Sequence, residues 1–158
     1  MDASEVAEIM DNAVGTVFST MLGTELAVAR WEESAEPTRD AEVIALIGMG
    51  GEMRGSVSLQ CEKSMACAFT ARLLGMDASE VESDEDLRDG LGEVVNMIAG
   101  SLKTALLEHG SIEIAIPIVV LTPKCDIRIK AKFGVSVTFT DTLGEFVVDF
   151  VLEADPPS

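Results

Sequence analysis

Tyrosine is absent from this chain, and tryptophan and histidine occur once each, as Trp31 and His109. A lone histidine rules out a multi-histidine metal site, and no Ser-His-acid or Cys-His constellation can be built around it. His109 falls near the expected end of a helix, where an imidazolium complements the helix dipole, so a structural role is assigned. Cysteine is scarce and odd in number: Cys61, Cys67 and Cys125, with no CxxC pair. That arithmetic excludes a disulfide framework and a cysteine metal site, leaving reduced, mostly buried thiols.

Basic residues are also few, 11 Lys and Arg against 28 Asp and Glu, for a formal net charge of −17. Such a surface repels phosphate backbones and anionic lipid, so neither nucleic acid nor membrane is expected as a partner. Long apolar runs are missing too. The longest, Ile114 to Leu121, is far short of a membrane span. The start, Met1-Asp2-Ala3-Ser4-Glu5, is acidic where a secretion signal is basic and then apolar, and a cytoplasmic protein is expected.

What remains is a globular profile of 158 residues, 47% apolar and 25% charged. It suits one domain over residues 1–153 with a loose C-terminal tail at 154–158. Val6, Ile9, Met10, Ala13, Val14, Val17, Phe18, Met21 and Leu22 recur at three- and four-residue steps and predict a helix over 4–22, stopped by Gly23. A short strand at 26–31 and a polar turn at 34–40 follow. Strands at 43–47 and 56–59 form a hairpin separated by Gly48, Gly50 and Gly51. The Gly-Met-Gly-Gly-Glu stretch has no following Lys-Ser/Thr and opens no helix, so it is not a phosphate loop.

Lys63 to Leu74 predicts a buried helix closed by Gly75. After an acidic run, Ser83 and Asp86 form a loose capping pattern for a helix over 84–109 with Gly110 as its stop. The last third is β. Ile112 to Leu121 is one strand. From Asp126 to Thr140, Ile127, Ile129, Ala131, Phe133, Val135, Val137 and Phe139 alternate with Arg128, Lys130, Lys132, Ser136, Thr138 and Thr140. That is the pattern of a sheet covered on one side. Lys124, Arg128, Lys130 and Lys132 form the one basic cluster. An edge strand charged against aggregation is preferred to a partner surface for it. A final strand runs from Phe146 to Leu152.

The helix over 84–109 carries the chemistry. At about 100° per residue, Leu91, Val94, Val95, Ile98, Leu102 and Ala105 share the core face. Asp89, Glu93 and Asn96, spaced i, i+4 and i+7, line the opposite side with Gly100 and Lys103. Gly92 and Gly100 flank this stripe, although each glycine costs about 1 kcal/mol relative to alanine inside a helix. Two readings stand: a surface onto which a partner backs closely, or an ordinary solvated face whose glycines serve packing.

The stretch Asp89-Gly-Leu-Gly-Glu93-Val-Val-Asn96 has the form Asp/Ser-x3-Glu-x2-Asn and resembles the signature of the CheC/CheX/FliY chemotaxis phosphatases. Pro117 matches the family's later proline, at a spacing a little shorter than the family's. The first helix, the glycine-containing hairpin and Ala71-Arg-Leu-Leu-Gly-Met also look familial, so the likeness covers almost the whole chain. The first helix offers Glu8-Ile-Met-Asp11, with Asp where the family's second site has Asn. One intact site, and no appended flagellar domain, point to the CheX branch.

The resemblance implies an α+β fold, a largely antiparallel sheet packed with long α-helices in a CheC-like layered sandwich. It implies hydrolysis of the aspartyl phosphate of a CheY-like response regulator. Asn96 would orient the water, Glu93 would pair with the regulator's lysine, and Asp89 and Pro117 would serve docking, joined by Gly92, Gly100 and Lys103 from their place on the polar stripe of the helix. No cofactor of its own is implied, because the regulator brings its Mg²⁺. Homodimers joined at a sheet edge are a further family implication. The alternative is a non-catalytic module of the same fold, resembling the middle domain of FliM, that sequesters a phosphorylated regulator or joins the flagellar switch.

Overall fold

The computed structural model describes residues 1–81, 83–128 and 130–157, without the side chains of residues 38, 39 and 124–128. The first helix, α1 (Ala3–Val17), is capped by Asp2, whose carboxylate accepts from the Glu5 amide at 2.9 Å while Glu5 accepts from the Asp2 amide at 3.2 Å. This reciprocal capping box satisfies two free N–H groups at the helix start. The helix continues as a π-helical turn, Phe18–Leu22, and ends at Gly23 with φ of 66°, a left-handed stop that glycine adopts freely.

Three strands follow: β1 (Ala27–Glu33), β2 (Thr38–Gly51) and β3 (Gly55–Cys61). Helix α2 (Lys63–Leu74) closes at Gly75, φ 68°. Helix α3 (Asp84–Ala105) starts at Ser83, whose hydroxyl accepts from the Asp86 amide at 3.1 Å. Then come β4 (Ile112–Ile114), β5 (Ile118–Arg128), β6 (Phe133–Asp141) and β7 (Gly144–Leu152). The strands form one antiparallel seven-stranded sheet in the order β1-β6-β7-β3-β2-β4, with β5 also on β2. The α+β class is therefore as expected.

The three helices lie on one face of the sheet, α3 in contact with both others and with β2, β4 and β5, and α1 also against β6. Between them runs one apolar core that includes Met10, Val14 and Phe18 from α1, Leu91, Val95 and Ile98 from α3, and Val57, Leu59, Val135, Val137 and Phe150 from the sheet. Phe18, Phe69, Phe139 and Phe146 stack or meet edge-to-face with centroids 5.0 to 5.5 Å apart. Such contacts add to the burial of their area.

Several sequence expectations are corrected here. The hairpin glycines Gly48, Gly50 and Gly51 lie within β2, and the turn falls at 52–54. Helix α3 stops at Ala105, where the chain tightens into turns, and Ala105 is exposed rather than in the core. The strand expected over 112–121 is interrupted at 115–117, because Pro117 has no N–H to give a ladder. The continuous alternation after Asp126 spans two strands that occupy different places in the sheet. Ile129, and the side chains of Lys124, Cys125, Ile127 and Arg128, for which the sequence predicts a sheet face, a basic edge and a buried thiol, lie outside the described residues; Lys130 and Lys132 are exposed but not in a strand.

The second face of the sheet is not bathed in solvent either. Ser56, Ser58, Gln60, Ser136, Thr138 and Asp149 are all buried. Ser34 donates its amide to the Gly134 carbonyl at 2.9 Å, and the Ser34 carbonyl fills the place a Gly134 Cβ would take. Some of these polar groups are paired: Gln60 Nε2 donates to Ser58 Oγ (2.5 Å) and Asp149 Oδ2 (3.0 Å), and Ser136 Oγ donates to Asp149 Oδ1, whereas Ser56 Oγ and Gln60 Oε1 are buried without a partner among the described residues. Past β7 the Glu153 amide donates to the Arg54 carbonyl (2.8 Å), and in the tail the Pro157 carbonyl accepts from the N-terminal ammonium (3.1 Å).

Candidate active site

Helix α3 is the element that displays the site, and its sequence separates two faces cleanly. Leu87, Leu91, Val94, Val95, Ile98 and Leu102 are buried, whereas Asp89, Glu93, Asn96 and Lys103 are exposed. Residues three apart on a helix have Cβ atoms about 5–6 Å apart, so Glu93 and Asn96 offer a carboxylate and a carboxamide side by side. Among the described residues neither side chain has a hydrogen-bond partner within the chain. Both are free to engage an incoming group.

A groove of about 510 Å³ runs beside them, open to solvent. One wall is α3, through Arg88, Asp89, Gly92, Glu93 and Asn96. The other is the 115–117 link and the start of β5, through Ala115, Ile116, Pro117 and Val119. The link is pinned where the Ala115 amide donates to the Gly48 carbonyl at 3.0 Å. A further tie lies below: the Glu52 and Met53 amides donate to the Ser111 carbonyl (3.0 and 3.2 Å), and the Ser111 amide donates to Glu52 Oε2 (2.7 Å). Gly51, at φ 90°, makes that turn possible.

Of the seven residues singled out from sequence, five (Asp89, Gly92, Glu93, Asn96 and Pro117) meet at this groove. Gly92 faces Pro117, where a Cβ would stand 3.6 Å from Pro117 Cγ, an ordinary contact. Gly100 and Lys103 lie further along α3, outside the groove lining, and a Cβ on Gly100 would meet nothing within 4 Å. The packing glycine is instead Gly90, where a Cβ would stand 2.3 Å from Thr70 Oγ1 of α2. Arg88 and Ile116 were not anticipated. The helix wheel weighs only one element, and the far wall comes from a link whose position depends on β4 and β5.

Among the described residues no three His, Cys, Asp or Glu side chains gather to hold a metal ion, and no helix is long and apolar enough to cross a membrane. The Asn96 carboxamide donates and accepts hydrogen bonds but does not titrate, so it can orient a reacting group and cannot act as its general base. The arrangement suits the completion of another molecule's site.

An antiparallel sheet backed by helices on one face is an architecture shared with known structures. A chemotaxis protein CheX from Desulfovibrio desulfuricans superposes with a TM-score of 0.84 at 29% identity, over 94% of this chain and 99% of that one. CheX from Vibrio vulnificus gives 0.81 at 26%, over 94% and 99%. A CheX–CheY–BeF3–Mg²⁺ complex from Borrelia burgdorferi gives 0.70 at 21%, over 97% and 99%, a likeness of fold. No curated protein matches the sequence. The model of the family described as chemotaxis phosphatase CheX matches residues 43–140. The chain belongs to the CheX family of chemotaxis phosphatases.

Proposed function

We propose that this protein hydrolyses the aspartyl phosphate of a CheY-type response regulator by inserting Asn96 and Glu93 into the regulator's own site. The observation that carries the reading is the exposed, unpartnered Glu93–Asn96 pair on the solvent face of α3 beside an open groove. The family match and the likeness to a CheX held in complex with CheY support it.

Phosphoryl transfer needs a water in line with the breaking bond and stabilisation of charge on the equatorial oxygens. The regulator supplies Mg²⁺ and a lysine. The Asn96 carboxamide donates and accepts hydrogen bonds, so it orients the water without taking its proton. Glu93 pairs with the regulator's lysine and fixes the docked pose, with Asp89 at its margin. A hundredfold acceleration corresponds to about 2.7 kcal/mol, within reach of one well-placed water. The reading assigns the protein to the cytoplasm and, as in its family, to homodimers joined along a sheet edge, which light scattering would check.

Phosphate release from a phosphorylated CheY-type receiver should rise well above its spontaneous rate on adding the protein. Glu93→Ala should lower both the rate and the affinity. Tight binding with no change in decay would instead favour a sequestering module of the same fold.

A further inference from the structure

The groove beside Glu93 and Asn96 has a second wall that the family signature leaves without a role, apart from its proline. At its crest Ile116 is 86% exposed, the most exposed large apolar side chain among the described residues. An isoleucine held in water forgoes the stabilisation that burial brings, and this one lines the same groove as the exposed Glu93–Asn96 pair. It does not sit on a slack loop. Ala115 is hydrogen-bonded to Gly48 on one side of it, and Pro117 packs toward Gly92 on the other. Its position relative to α3 is therefore fixed before any partner arrives, which limits the ordering entropy of association.

Across the groove stands Arg88. Among the described residues it is the only cation lining the groove, and it makes no ion pair. Asp84, four residues before it, is instead 3.8 Å from Lys63. The rest of this stretch of α3 is acidic, with Asp84, Glu85, Asp86, Asp89 and Glu93 exposed or half-buried. A partner surface carrying a phosphoryl group would be repelled by that row, except where a free guanidinium meets it.

We propose that Ile116 and Arg88 are the two docking residues that set affinity for the phosphorylated receiver, Ile116 entering an apolar recess beside the partner's phosphorylation site and Arg88 meeting an anionic group on the opposite rim. This rests on the phosphatase reading above, and it names residues outside the Glu-x2-Asn signature. Both are positioning residues: neither orients the water. The occupant is a receiver domain because the groove is continuous with the Glu93–Asn96 pair, so whatever engages one must cover the other.

The test is a steady-state comparison on a phosphorylated CheY-type receiver, with binding to the same receiver carrying beryllofluoride and Mg²⁺ measured in parallel. Ile116→Ser and Arg88→Gln should each raise KM and Kd about tenfold, the size of one lost buried side chain or charge contact, with kcat held within twofold. Ile116→Val should restore most of the affinity. Ile118→Ser removes another exposed isoleucine that does not line the groove and should change neither constant. The Arg88→Gln enzyme should also show a weaker dependence of KM on salt. KM within twofold of wild type in both Ile116→Ser and Arg88→Gln, while Asn96→Ala still loses turnover, overturns this inference and leaves the phosphatase reading standing. Absence of any turnover by the wild type overturns both.

Discussion

Burial pushes the Cys61 thiol up to about 12, with Glu62, Cys67 and Glu42 adding to the rise. Thiolate is the reactive form, so Cys61 is inert in the folded protein. Iodoacetamide at pH 8 should alkylate half-buried Cys67 first and reach Cys61 only on unfolding; peptide mass spectrometry checks the order, and equal rates would contradict it. Arg72 and Asp141 form an ion pair at 2.8 Å, and Arg72 also donates to Thr24 Oγ1 at 2.8 Å. Burial raises the Asp141 carboxyl, but hydrogen bonds from Arg72, the Leu143 amide and Thr142 outweigh it and hold the group below its usual value. A depressed folded pKa contributes stability above the unfolded value, lost as pH falls through the folded one, hence below about pH 4. Arg72→Met should cost about 2 kcal/mol at pH 7 by leaving a buried carboxylate short of partners. Urea titrations from pH 7 to 2 should show the difference from wild type shrinking as Asp141 protonates.

Three glycines on α3 differ in what surrounds them, and so test folding and the proposed docking separately. Gly90 backs onto fully buried Thr70, so Gly90→Ala should destabilise by about 1–3 kcal/mol through overpacking. Gly100 has open space, and Gly100→Ala should stabilise by up to about 1 kcal/mol. Gly92→Ala has room against Pro117 and should fold at least as well, yet its methyl enters the groove and should raise KM. Thermal unfolding beside steady-state kinetics checks all three; a Gly92→Ala enzyme with unaltered KM would mean that nothing backs closely onto that face. The start of α3 was legible in Ser83 and Asp86, and its two faces in the spacing of Leu91, Val95, Asp89 and Glu93. Its end was not. The stop comes from turns at 106–109 rather than from a glycine at the helix end.

At the scale of the whole molecule, what could be read from the chain is what depends on neighbours in sequence. The helix face of the sheet was visible in the alternation of Phe133, Val135, Val137 and Phe139, all buried. The other face was misjudged, because Ser136 and Thr138 alternate with the apolar set as solvent-facing residues do, whereas in the fold both are buried and Asp149 collects Ser136 and Gln60. The break between β5 and β6 was hidden for a similar reason: a period of two does not register a change of partner strand. The candidate site was half legible, the α3 half, since the Ile116 wall exists only once β4 and β5 are paired with β2. The claim on which the rest depends is that Asn96 acts on water within a bound regulator. Its most direct test is Asn96→Ala assayed twice, for binding to a beryllofluoride-treated CheY-type receiver and for single-turnover decay of the phosphorylated one. Binding close to wild type with decay slowed at least about a hundredfold, some 2.7 kcal/mol of barrier, is the expected result; decay at the wild-type rate would contradict the account.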